Sequence, residues 1–366
     1  MTRREKQLLE WIEENPLISQ QELATRAGIT RSSVAVHISN LMKKGMILGK
    51  GYIVHKSNYV VVIGGVNMDI FGRPYNPLIK NDSNPGQVRM TFGGVARNIA
   101  HNLRLLGVNI KLITAFGEDV NAQKIIKNCA DLGIDTTSSL VVPSGVTSSY
   151  LFITSSEGDM ELAVSDMEIY RYLTPDYIAS KMDIINNASL CIIDANLSEG
   201  TINYLAEHCT VPIFADPVSS TKAKKLIPSL SRIHSFKPNL IEAELLTGIK
   251  ITDEESMKQS AKYFLDQGVK QIYLSLGKDG VYCASKHESA HLPCLKTNLI
   301  NATGGGDSFM AAIVWAYLNG LSLIESTKLG LAASSICCEG KGTINDALTI
   351  DAALKRARLD ITTSEL

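Results

Sequence analysis

The sequence predicts a three-layer α/β domain that carries a small separate β-sheet and is preceded by an all-α domain. Its 366 residues exceed the roughly 250 to 300 at which a single hydrophobic core stops growing, so we expect two domains. Residues 1–56 hold nine Lys and Arg against five Glu, whereas residues 57–366 hold 27 against 32 acidic side chains. The larger part alternates apolar strands with helices. Charge and pattern therefore predict a boundary between residues 56 and 57.

The first 56 residues have the element order of a winged helix-turn-helix domain. Apolar residues at helical spacing predict a first helix that ends before Pro16. Ser19 followed by Glu22 predicts a capping box at the second helix, and Gly28 predicts the turn after it. A third helix, TRSSVAVHISNLMKKG, buries apolar residues that include Met42. The segment MILGKGYIV, residues 46–54, predicts a short hairpin as the wing.

The third helix is the predicted DNA-reading element, because this helix enters the major groove in such domains. Its outward residues are expected to contact bases, and they are Arg31, Ser32, Ser33 and His37. Lysines 43, 44 and 50 are expected to meet phosphates. The excess charge of this domain is modest, so a docking or dimerisation role stays open.

The remaining residues predict a parallel sheet covered by helices on both faces. The apolar strand segments are YVVVIGG, NIKLITAFG, SLCIIDAN, VPIFADP, RIHSF and KQIYLSLG, and two helical segments between them are GGVARNIAHNLRLLG and NAQKIIKNCADLG. Two regions, residues 75–92 and 147–165, contain runs in which polar and apolar residues alternate instead. They predict strands of a small, partly exposed sheet that serves as a lid or as an interface.

Composition excludes several classes of protein. The seven cysteines show neither CxxC nor Cys/His ligand spacing, so we expect buried thiols rather than disulfides or zinc ligands. The longest apolar run, Phe309–Leu318, is about half the length of a membrane span, and the charged amino terminus does not resemble a secretory signal. We therefore expect a cytoplasmic protein that does not contact the membrane.

Three glycines, Gly304, Gly305 and Gly306, stand before Asp307 and the wholly apolar helix FMAAIVWAYL. Backbone amides at such a helix start bind anions, and glycines leave them accessible. A carboxylate beside an anion hole suits a site that deprotonates a hydroxyl while the amides stabilise a transferred phosphoryl group. The motif alone also fits a flexible loop with a capping Asp. The phosphate loop GxxxxGK[ST] and the protein-kinase motifs are absent from the sequence.

Four segments resemble the signatures of the ribokinase-like (PfkB) family of sugar and nucleoside kinases. They are GGVNMD, residues 64–69; FGGVARNIAHNLRLLG, residues 92–107; KPNLIEAELLTG, residues 237–248; and NATGGGD, residues 301–307. The resemblance spans residues 59–350 and implies a three-layer ribokinase-like fold with a β lid. It also implies an ATP-dependent kinase that uses Mg²⁺ and pairs its lid sheets in a homodimer.

The resemblance assigns roles to residues by position. Asp307 is the implied general base, with the amides of residues 304–307 as the anion hole. The implied sugar-binding residues are Asn67, Asp69, Gly93, Gly94, Asn98 and Asn196, and those near the nucleotide are Asn239, Glu242, Ser275, Gly277, Gly280 and Ala333. Glu242 would reach Mg²⁺ through water. Asn301 and Thr303 stand at the implied monovalent-cation site, but the family usually has Asp where this chain has Asn301, which weakens that expectation.

Within the family, the segments NDSNPGQVRMTF, TSSY and SDMEI are most similar to the branch that phosphorylates the 5′-hydroxyl of pseudouridine. On this resemblance Ser83, Thr147, Ser149 and Asp166 are the candidate contacts to the uracil ring. Ribose, another ribonucleoside or a keto-sugar acid stay open as substrates. A transcription regulator whose kinase-like domain only senses a ligand is the alternative from another class.

Overall fold

The computed structural model describes residues 1–49, 58–157 and 159–359. The chain forms two compact units, Met1–Asn58 and Tyr59–Leu366. The boundary predicted between residues 56 and 57 lies outside the described residues, as do Lys50 and residues 50–54 of the predicted wing hairpin.

Three helices form the amino-terminal unit: α1 (Arg3–Glu14), α2 (Gln20–Ala27) and α3 (Arg31–Lys43). The predicted capping box is present, because Glu22 donates its amide to Ser19 Oγ and accepts the Ser19 amide on its carboxylate. Gly28 ends α2 at a left-handed φ of 64°. Met42 was expected to be buried but is 47% exposed. Successive residues of a helix are rotated by about 100°, so the residue after the buried Leu41 points away from the core.

The second unit is built on a nine-stranded sheet. In chain order its strands are β1 (Tyr59–Ile63), β4 (Asn109–Ile113), β6 (Ile134–Asp135), β10 (Cys191–Asp194), β11 (Ile213–Asp216), β12 (Ile233–Phe236), β13 (Gln271–Ser275), β14 (Val281–Ser285) and β15 (Ser289–Leu292). Their spatial order is β15-β14-β13-β12-β11-β10-β1-β4-β6, and all neighbours are parallel except that β14 pairs antiparallel with both β13 and β15. A separate pair, β5 (Ala115–Phe116) and β7 (Leu140–Val141), is also parallel.

Helices cover both faces of this sheet. They are α4 (Val95–Leu105), α5 (Val120–Asp131), α6 (Pro175–Ala179), α7 (Met182–Asn186), α8 (Glu199–His208), α9 (Ser220–Ala223), α10 (Leu240–Thr247), α11 (Glu254–Asp266), α12 (Gly305–Leu318), α13 (Leu323–Cys338) and α14 (Ile350–Ala357). Along β1, Val60 and Val62 pack into one apolar core while Val61 and Ile63 pack into the other. The predicted three-layer α/β fold is thus confirmed. No helix of the described residues is long and apolar enough to cross a membrane.

A separate four-stranded sheet is here called the lid. Its strands are β2 (Asn67–Pro74), β3 (Gly86–Gly93), β8 (Ser149–Thr154) and β9 (Met160–Asp166), in the spatial order β3-β2-β8-β9. The sequence pattern predicted a strand beginning near residue 75, whereas the structure has strand over residues 67–74 and a loop before residue 86. The segment that begins at Asn67 therefore forms the first strand of the lid.

The two faces of the lid differ in chemistry. Asn67, Asp69 and Phe71 share a face with Tyr150 and Phe152, because residues paired across strands point to the same side. The opposite, outer face carries apolar side chains that are 38 to 73% exposed: Val88, Met90, Leu151, Leu162 and Val164. The inner face is therefore polar and aromatic, and the outer face is an uncovered apolar surface in this single chain.

Candidate active site

Helix α12 begins with three glycines, of which Gly304 is the N-cap, and a different neighbouring group restricts each position. Gly304 has φ +86°, and a Cβ there would overlap the carbonyl oxygen of Thr343. A Cβ on Gly305 would lie 2.9 Å from Ser334 Oγ on α13, and one on Gly306 would lie 3.3 Å from Lys237 Nζ. A larger residue at Gly304 would therefore force the backbone to move, and one at Gly305 or Gly306 would crowd a neighbouring polar side chain.

The first turn of α12 has the features of an anion hole. Gly304 occupies the N-cap position and supplies no side-chain cap, and Gly305 donates its amide to the carbonyl of Ala302 at 3.3 Å. The next two amides, of Gly306 and Asp307, belong to the group that has no partner within a helix. Partial positive charge thus collects where the sequence predicted phosphoryl binding.

Asp307 is half-buried beside these amides, and Asn98 Nδ2 donates a hydrogen bond of 3.0 Å to its Oδ2. Burial, with the nearby carboxylate of Asp216 as the second cause, raises the pKa of Asp307 to about 7. The hydrogen bond from Asn98 and the charge of Lys237 act in the opposite direction. A carboxyl group with this pKa can accept a proton from an alcohol near neutral pH.

The sugar-binding candidates meet at the junction of β2 and α4. Asn67 Nδ2 donates to Asp69 Oδ1 at 2.5 Å, and the Asp69 carboxylate lies directly over Gly93, where any Cβ would overlap it. Gly94, at φ +97°, packs against the backbone of Gly65. Burial raises the pKa of Asp69, against the Asn67 hydrogen bond. Asn98, in the first turn of the helix α4 that begins directly after Gly94, donates to the Asp307 carboxylate.

Asp194, at the end of β10, is a site residue that sequence reasoning missed. It is 1% exposed and accepts the amides of Gly65 at 2.8 Å, Ala96 at 3.1 Å and Asn196 at 2.9 Å. Burial raises its pKa to about 6, although these hydrogen bonds oppose the rise. One carboxylate thus joins the end of β1, the start of α4 and Asn196. An acidic residue that ends a buried strand, as in CIIDAN, was the available signal.

Asn196, another of the predicted sugar-binding residues, lies against Gly65, which follows β1. A Cβ on Gly65 would overlap its Nδ2, and Lys222 Nζ donates to its Oδ1 at 2.6 Å. The lysine therefore sets which end of the amide is turned toward Gly65.

Four predicted base contacts do not reach the inner face of the lid. Ser83 lies exposed in the loop before β3. Thr147 is fully buried, and its Oγ1 accepts the amide of Gly117 at 3.0 Å. Ser149 and Asp166 pair with each other on the side opposite Asp69, because Ser149 is in register with Met68. For Ser149 and Asp166 the assignment is corrected, since the two-residue period of a strand places both side chains on the outer face of the lid. Ser83 and Thr147 lie outside the lid strands, so their assignment is corrected as well.

The inner face instead carries residues that the sequence analysis did not single out. Tyr150 and Thr91 are in register with Asp69 on its two sides. The rings of Tyr150 and Phe152 are 5.5 Å apart, and those of Phe71 and Phe152 are 5.2 Å apart. An aromatic cluster therefore extends from Asp69 along the lid and offers a surface for a planar ring.

Asn239 and Glu242, predicted to lie near the nucleotide, are held together by the capping box of α10. Glu242 donates its amide to Asn239 Oδ1 at 2.9 Å, and Asn239 donates its amide to Glu242 Oε2 at 2.8 Å. Glu242 is 4% exposed, and burial raises its pKa. Among the described residues, no three His, Cys, Asp or Glu side chains form a group that could hold a metal ion.

The loop predicted to border the nucleotide lies beside a cavity of about 680 Å³. Gly277 and Gly280 have φ +61° and +95°, and a Cβ on Gly280 would overlap the backbone at Leu292. Ser275 Oγ donates to the carbonyl of Pro238 at 3.4 Å. The cavity mixes apolar and cationic lining residues, which include Leu292, Pro293, Leu331, Lys296, Lys328 and Arg356.

The prediction for Ala333 is corrected, because this residue is fully buried in the core. The residue after it, Ser334, lies against Gly305 instead. At the predicted cation position, Asn301 Oδ1 accepts the amide of Thr303 at 2.9 Å, so it is engaged in a local turn.

Of the cysteines, Cys294 is exposed, contrary to the expected burial, and it donates to the carbonyl of Gly277.

Lys237 and Asp216 form a second feature that the sequence analysis did not single out. Lys237 follows β12 and Asp216 ends β11, and both are less than 10% exposed. Lys237 Nζ lies 3.0 Å from Asp216 Oδ2, and it is also the atom beside Gly306. The ion pair therefore lies next to the start of α12.

Helix α3 presents some of the predicted DNA-contacting residues but not all. Arg31 and Ser32 are exposed, whereas Ser33 Oγ is 2.8 Å from Thr30 Oγ1 at the helix start. His37 is half-buried, and its Nδ1 is buried without a hydrogen-bond partner among the described residues. Val36, 60% exposed, takes the outward position expected for His37.

Comparison with known proteins identifies relatives of both units. Residues 57–350 match the model of the pfkB family carbohydrate kinases, and residues 1–47 match that of a winged helix-turn-helix DNA-binding domain. The chain is 35% identical to the uncharacterized sugar kinase YeiI of Escherichia coli K12, over 97% of this chain and 98% of that one. It is 37% identical to the pseudouridine kinase of the same organism, over 81% of this chain and 96% of that one.

Solved structures have the same fold. A carbohydrate kinase from Agrobacterium tumefaciens superimposes with a TM-score of 0.74 at 26% identity, over 82% of this chain and 97% of that one. A ribokinase from Arabidopsis thaliana superimposes with a TM-score of 0.73 at 20% identity, over 83% of this chain and all of that one.

Proposed function

Because the chain belongs to the pfkB family of carbohydrate kinases, we propose that it transfers the γ-phosphoryl group of ATP to the 5′-hydroxyl of pseudouridine. The observation that carries this proposal is the half-buried Asp307 carboxylate beside the uncapped start of α12, where it accepts a hydrogen bond from Asn98 on the helix that begins directly after Gly94. A ligand sensor would need the pocket but no proton acceptor with a raised pKa. This favours an enzyme over a regulator that only binds its ligand.

In the proposed reaction, the substrate hydroxyl oxygen attacks the γ-phosphorus while the bond to the bridging oxygen of ADP breaks. The hydroxyl proton moves to Asp307, and the products are ADP and the phosphate monoester. Asn98 holds Asp307 Oδ2, which leaves Oδ1 for the hydroxyl. The amides of Gly306 and Asp307 stabilise the charge of the phosphoryl group in transit.

Magnesium fits this site as a partner of the ATP phosphates rather than as a resident ion. The described residues offer no chelating cluster, and Mg²⁺ commonly keeps several waters and takes one or two carboxylates together with phosphates. Bound in this way, it neutralises phosphate charge. Glu242, held by Asn239, would contact its waters. The adenosine part of ATP would enter the cavity beside Gly280, where Lys296 and Lys328 supply cationic groups.

The choice of a nucleoside over free ribose rests on the aromatic inner face of the lid. Phe71, Tyr150 and Phe152 add a surface for a planar base beyond the residues that suit sugar hydroxyls. Free ribose would leave that surface without a partner. The relative named pseudouridine kinase supports the same choice.

A substrate panel tests the proposal. The purified protein is incubated with ATP, Mg²⁺ and pseudouridine, uridine, adenosine, ribose or a keto-sugar acid, and ADP release and the phosphorylated product are both measured. We expect pseudouridine to have the highest kcat/KM, by at least about 100-fold over ribose, because a lost set of base contacts costs several kcal/mol. A higher value for ribose would refute the choice of nucleoside, and no turnover of any substrate would favour the sensor.

We further propose that the amino-terminal unit binds DNA through α3. Three observations support this: the unit consists of three helices in sequence, it matches a winged helix-turn-helix DNA-binding model, and it carries an excess of basic residues. Arg31 would contact phosphate or base, and the exposed Val36 would contact a thymine methyl group.

A gel shift with DNA from upstream of the gene tests the DNA proposal. We expect binding at low salt and a loss of at least about tenfold in Arg31→Glu, because one favourable contact becomes a repulsive one. The control is Lys127→Glu, which makes the same charge change on the surface of the other unit. Equal binding by both variants, or no shift at low salt, would support a docking role instead.

The outer face of the lid supports a homodimer as a further proposal. Its exposed side chains, Val88, Met90, Leu151, Leu162 and Val164, form a continuous apolar surface of the kind that a second copy covers. Light scattering on the purified protein reads the mass directly, and a monomeric mass at micromolar concentration would exclude this pairing.

A further inference from the structure

A buried lysine lies beside the anion hole without a role in the proposed chemistry. Lys237 is 7% exposed, and its Nζ would lie 3.3 Å from a Cβ on Gly306, the residue that donates one of the two proposed anion-binding amides. A side chain at Gly306 would therefore crowd the ammonium group, which lies close to this backbone. An oxyanion bound at the amides of Gly306 and Asp307 would lie within reach of Nζ.

The lysine is held in its charged form by carboxylates on three elements. Asp216 is its ion-pair partner at 3.0 Å, and Asp307 and Glu242 are also close enough to favour its charge. Burial works to lower the pKa of Lys237, but these carboxylates outweigh burial and raise it. A buried ion pair gives little net stability compared with apolar residues of the same volume. Stability alone is thus a weak reason for a charged pair at this place.

The backbone around Asp216 is also strained. Asp216 Oδ1 accepts the amide of Val218 at 2.8 Å, and Val218 has φ +64°, a left-handed conformation that is unfavourable for a β-branched residue. Such a conformation costs of the order of 1 to 3 kcal/mol and is concentrated at functional sites. The turn at Val218 therefore has an unfavourable backbone conformation, and this turn holds the Asp216 carboxylate, which in turn holds Lys237.

We propose that Lys237 is a catalytic residue whose ammonium group binds the phosphoryl group in transit beside the amides of Gly306 and Asp307, with Asp216 holding it in position. This inference rests on the proposed kinase function. As the acceptor oxygen bonds to phosphorus and the bridging oxygen leaves with ADP, Lys237 donates a hydrogen bond to a phosphoryl oxygen and keeps its proton. Asp216 acts through Lys237 and is a positioning residue.

The competing explanation is that Lys237 and Asp216 are a structural pair only. Lys237→Met alone would not separate the two, because it leaves a buried carboxylate without its partner and destabilises the fold. The double variant Lys237→Met/Asp216→Asn removes both charges, and its new amide side chain keeps an oxygen that can accept the Val218 N–H. The control is Lys111→Met, which breaks an ion pair with Asp135 between β4 and β6, away from the site.

The experiment measures melting temperature, kcat and the KM for nucleoside in wild type, Lys237→Met, the double variant and Lys111→Met. We expect the double variant to melt within about 4 °C of wild type, with kcat at least about 100-fold lower and the nucleoside KM changed less than about threefold, because a group that acts in the transition state affects kcat. Lys111→Met should retain wild-type kcat.

The outcomes separate this inference from the function on which it rests. An active wild type whose kcat survives the double substitution within about fivefold overturns the role of Lys237 and leaves the kinase function intact. If the double variant has a low kcat and also fails to fold, Lys237→Gln/Asp216→Asn replaces it, and the same limits on kcat relative to wild type apply. A wild type that phosphorylates nothing on the substrate panel overturns both proposals.

Discussion

Replacing Asp307 by asparagine is expected to lower kcat by about 10²- to 10⁴-fold while nucleoside binding is retained. Asparagine has nearly the same volume and can still contact Asn98, but its amide cannot accept the hydroxyl proton. ADP release at saturating ATP and nucleoside gives kcat, and calorimetry gives the nucleoside affinity. Asp131→Asn, an exposed substitution on α5, is the control and should keep full activity. Undiminished turnover in Asp307→Asn would remove the proposed general base.

Asp307→Asn should also show that the buried Asp307 carboxylate lowers the stability of the folded protein at neutral and higher pH. The folded protein raises the pKa of Asp307 to about 7, so it binds this proton more tightly than the unfolded chain does. The stability that this proton contributes is present at low pH and is lost as the pH rises toward 7 and above. A neutral asparagine side chain has no such loss. We expect Asp307→Asn to melt a few degrees above wild type at pH 8 and close to it near pH 5.

The pH dependence of turnover is a second readout of Asp307. The base works in its deprotonated form, so kcat/KM of the wild type should rise with pH through an apparent pKa of about 7. Asp216 and Asp194 are close enough to shift this titration, so the apparent value belongs to the group of carboxylates. The residual activity of Asp307→Asn should lack this rise. A wild-type profile that is flat from pH 5 to 8 would contradict the proposed base.

Gly304→Ala is expected to have the largest effect on both folding and activity among alanine substitutions of Gly304, Gly305 and Gly306. Alanine at φ +86° loses about 1 to 2 kcal/mol, and its Cβ would in addition overlap the Thr343 carbonyl oxygen, which forces the backbone to move. The amides that follow Gly304 would move with it, and a shift of about 1 Å at a catalytic group can reduce turnover about 100-fold. We expect a loss of at least about 8 °C in melting temperature and of at least about 100-fold in kcat.

Gly320→Ala is the matched control for this prediction. Gly320 follows the other end of α12, has φ +72°, and would place its Cβ in open space. It therefore carries the same backbone penalty without the overlap, and we expect a loss of only about 3 to 6 °C with unchanged kcat. Equal losses of melting temperature and of kcat in the two variants would contradict this prediction, because the overlap of the new Cβ with Thr343 would then be relieved without moving the anion hole.

Local sequence patterns were sufficient for the elements whose signals are short-range. Ser19 and Glu22 form the predicted capping box, and the apolar strand segments form the predicted parallel sheet. The glycines before Asp307 also lie at the start of a buried helix, as the apolar sequence after them indicated. Each of these features depends on residues within a few positions of one another, so its pattern can be read directly.

The lid shows where such patterns were insufficient. Ser149 lies within the predicted lid region 147–165 and Asp166 directly follows it, but one face of a strand differs from the other by a single residue of register. That register is decided by pairing with β2, which the pattern near GGVNMD did not reveal as a strand. Tyr150, which is paired with Asp69, could be found only once β2 and β8 were known to be neighbours.

The sequence by itself determined the class of the fold, the helix caps and the position of Asp307 at a helix start, because these depend on the periodicity and chemistry of neighbouring residues. The tertiary structure decided which distant groups surround that carboxylate. Asn98 is 209 positions from Asp307, and Asp194 is 129 positions from Gly65. Lys237 and Asp216 meet only because β11 and β12 are adjacent in the sheet. Raised pKa values and buried ion pairs arise from such packing, and no local pattern records them.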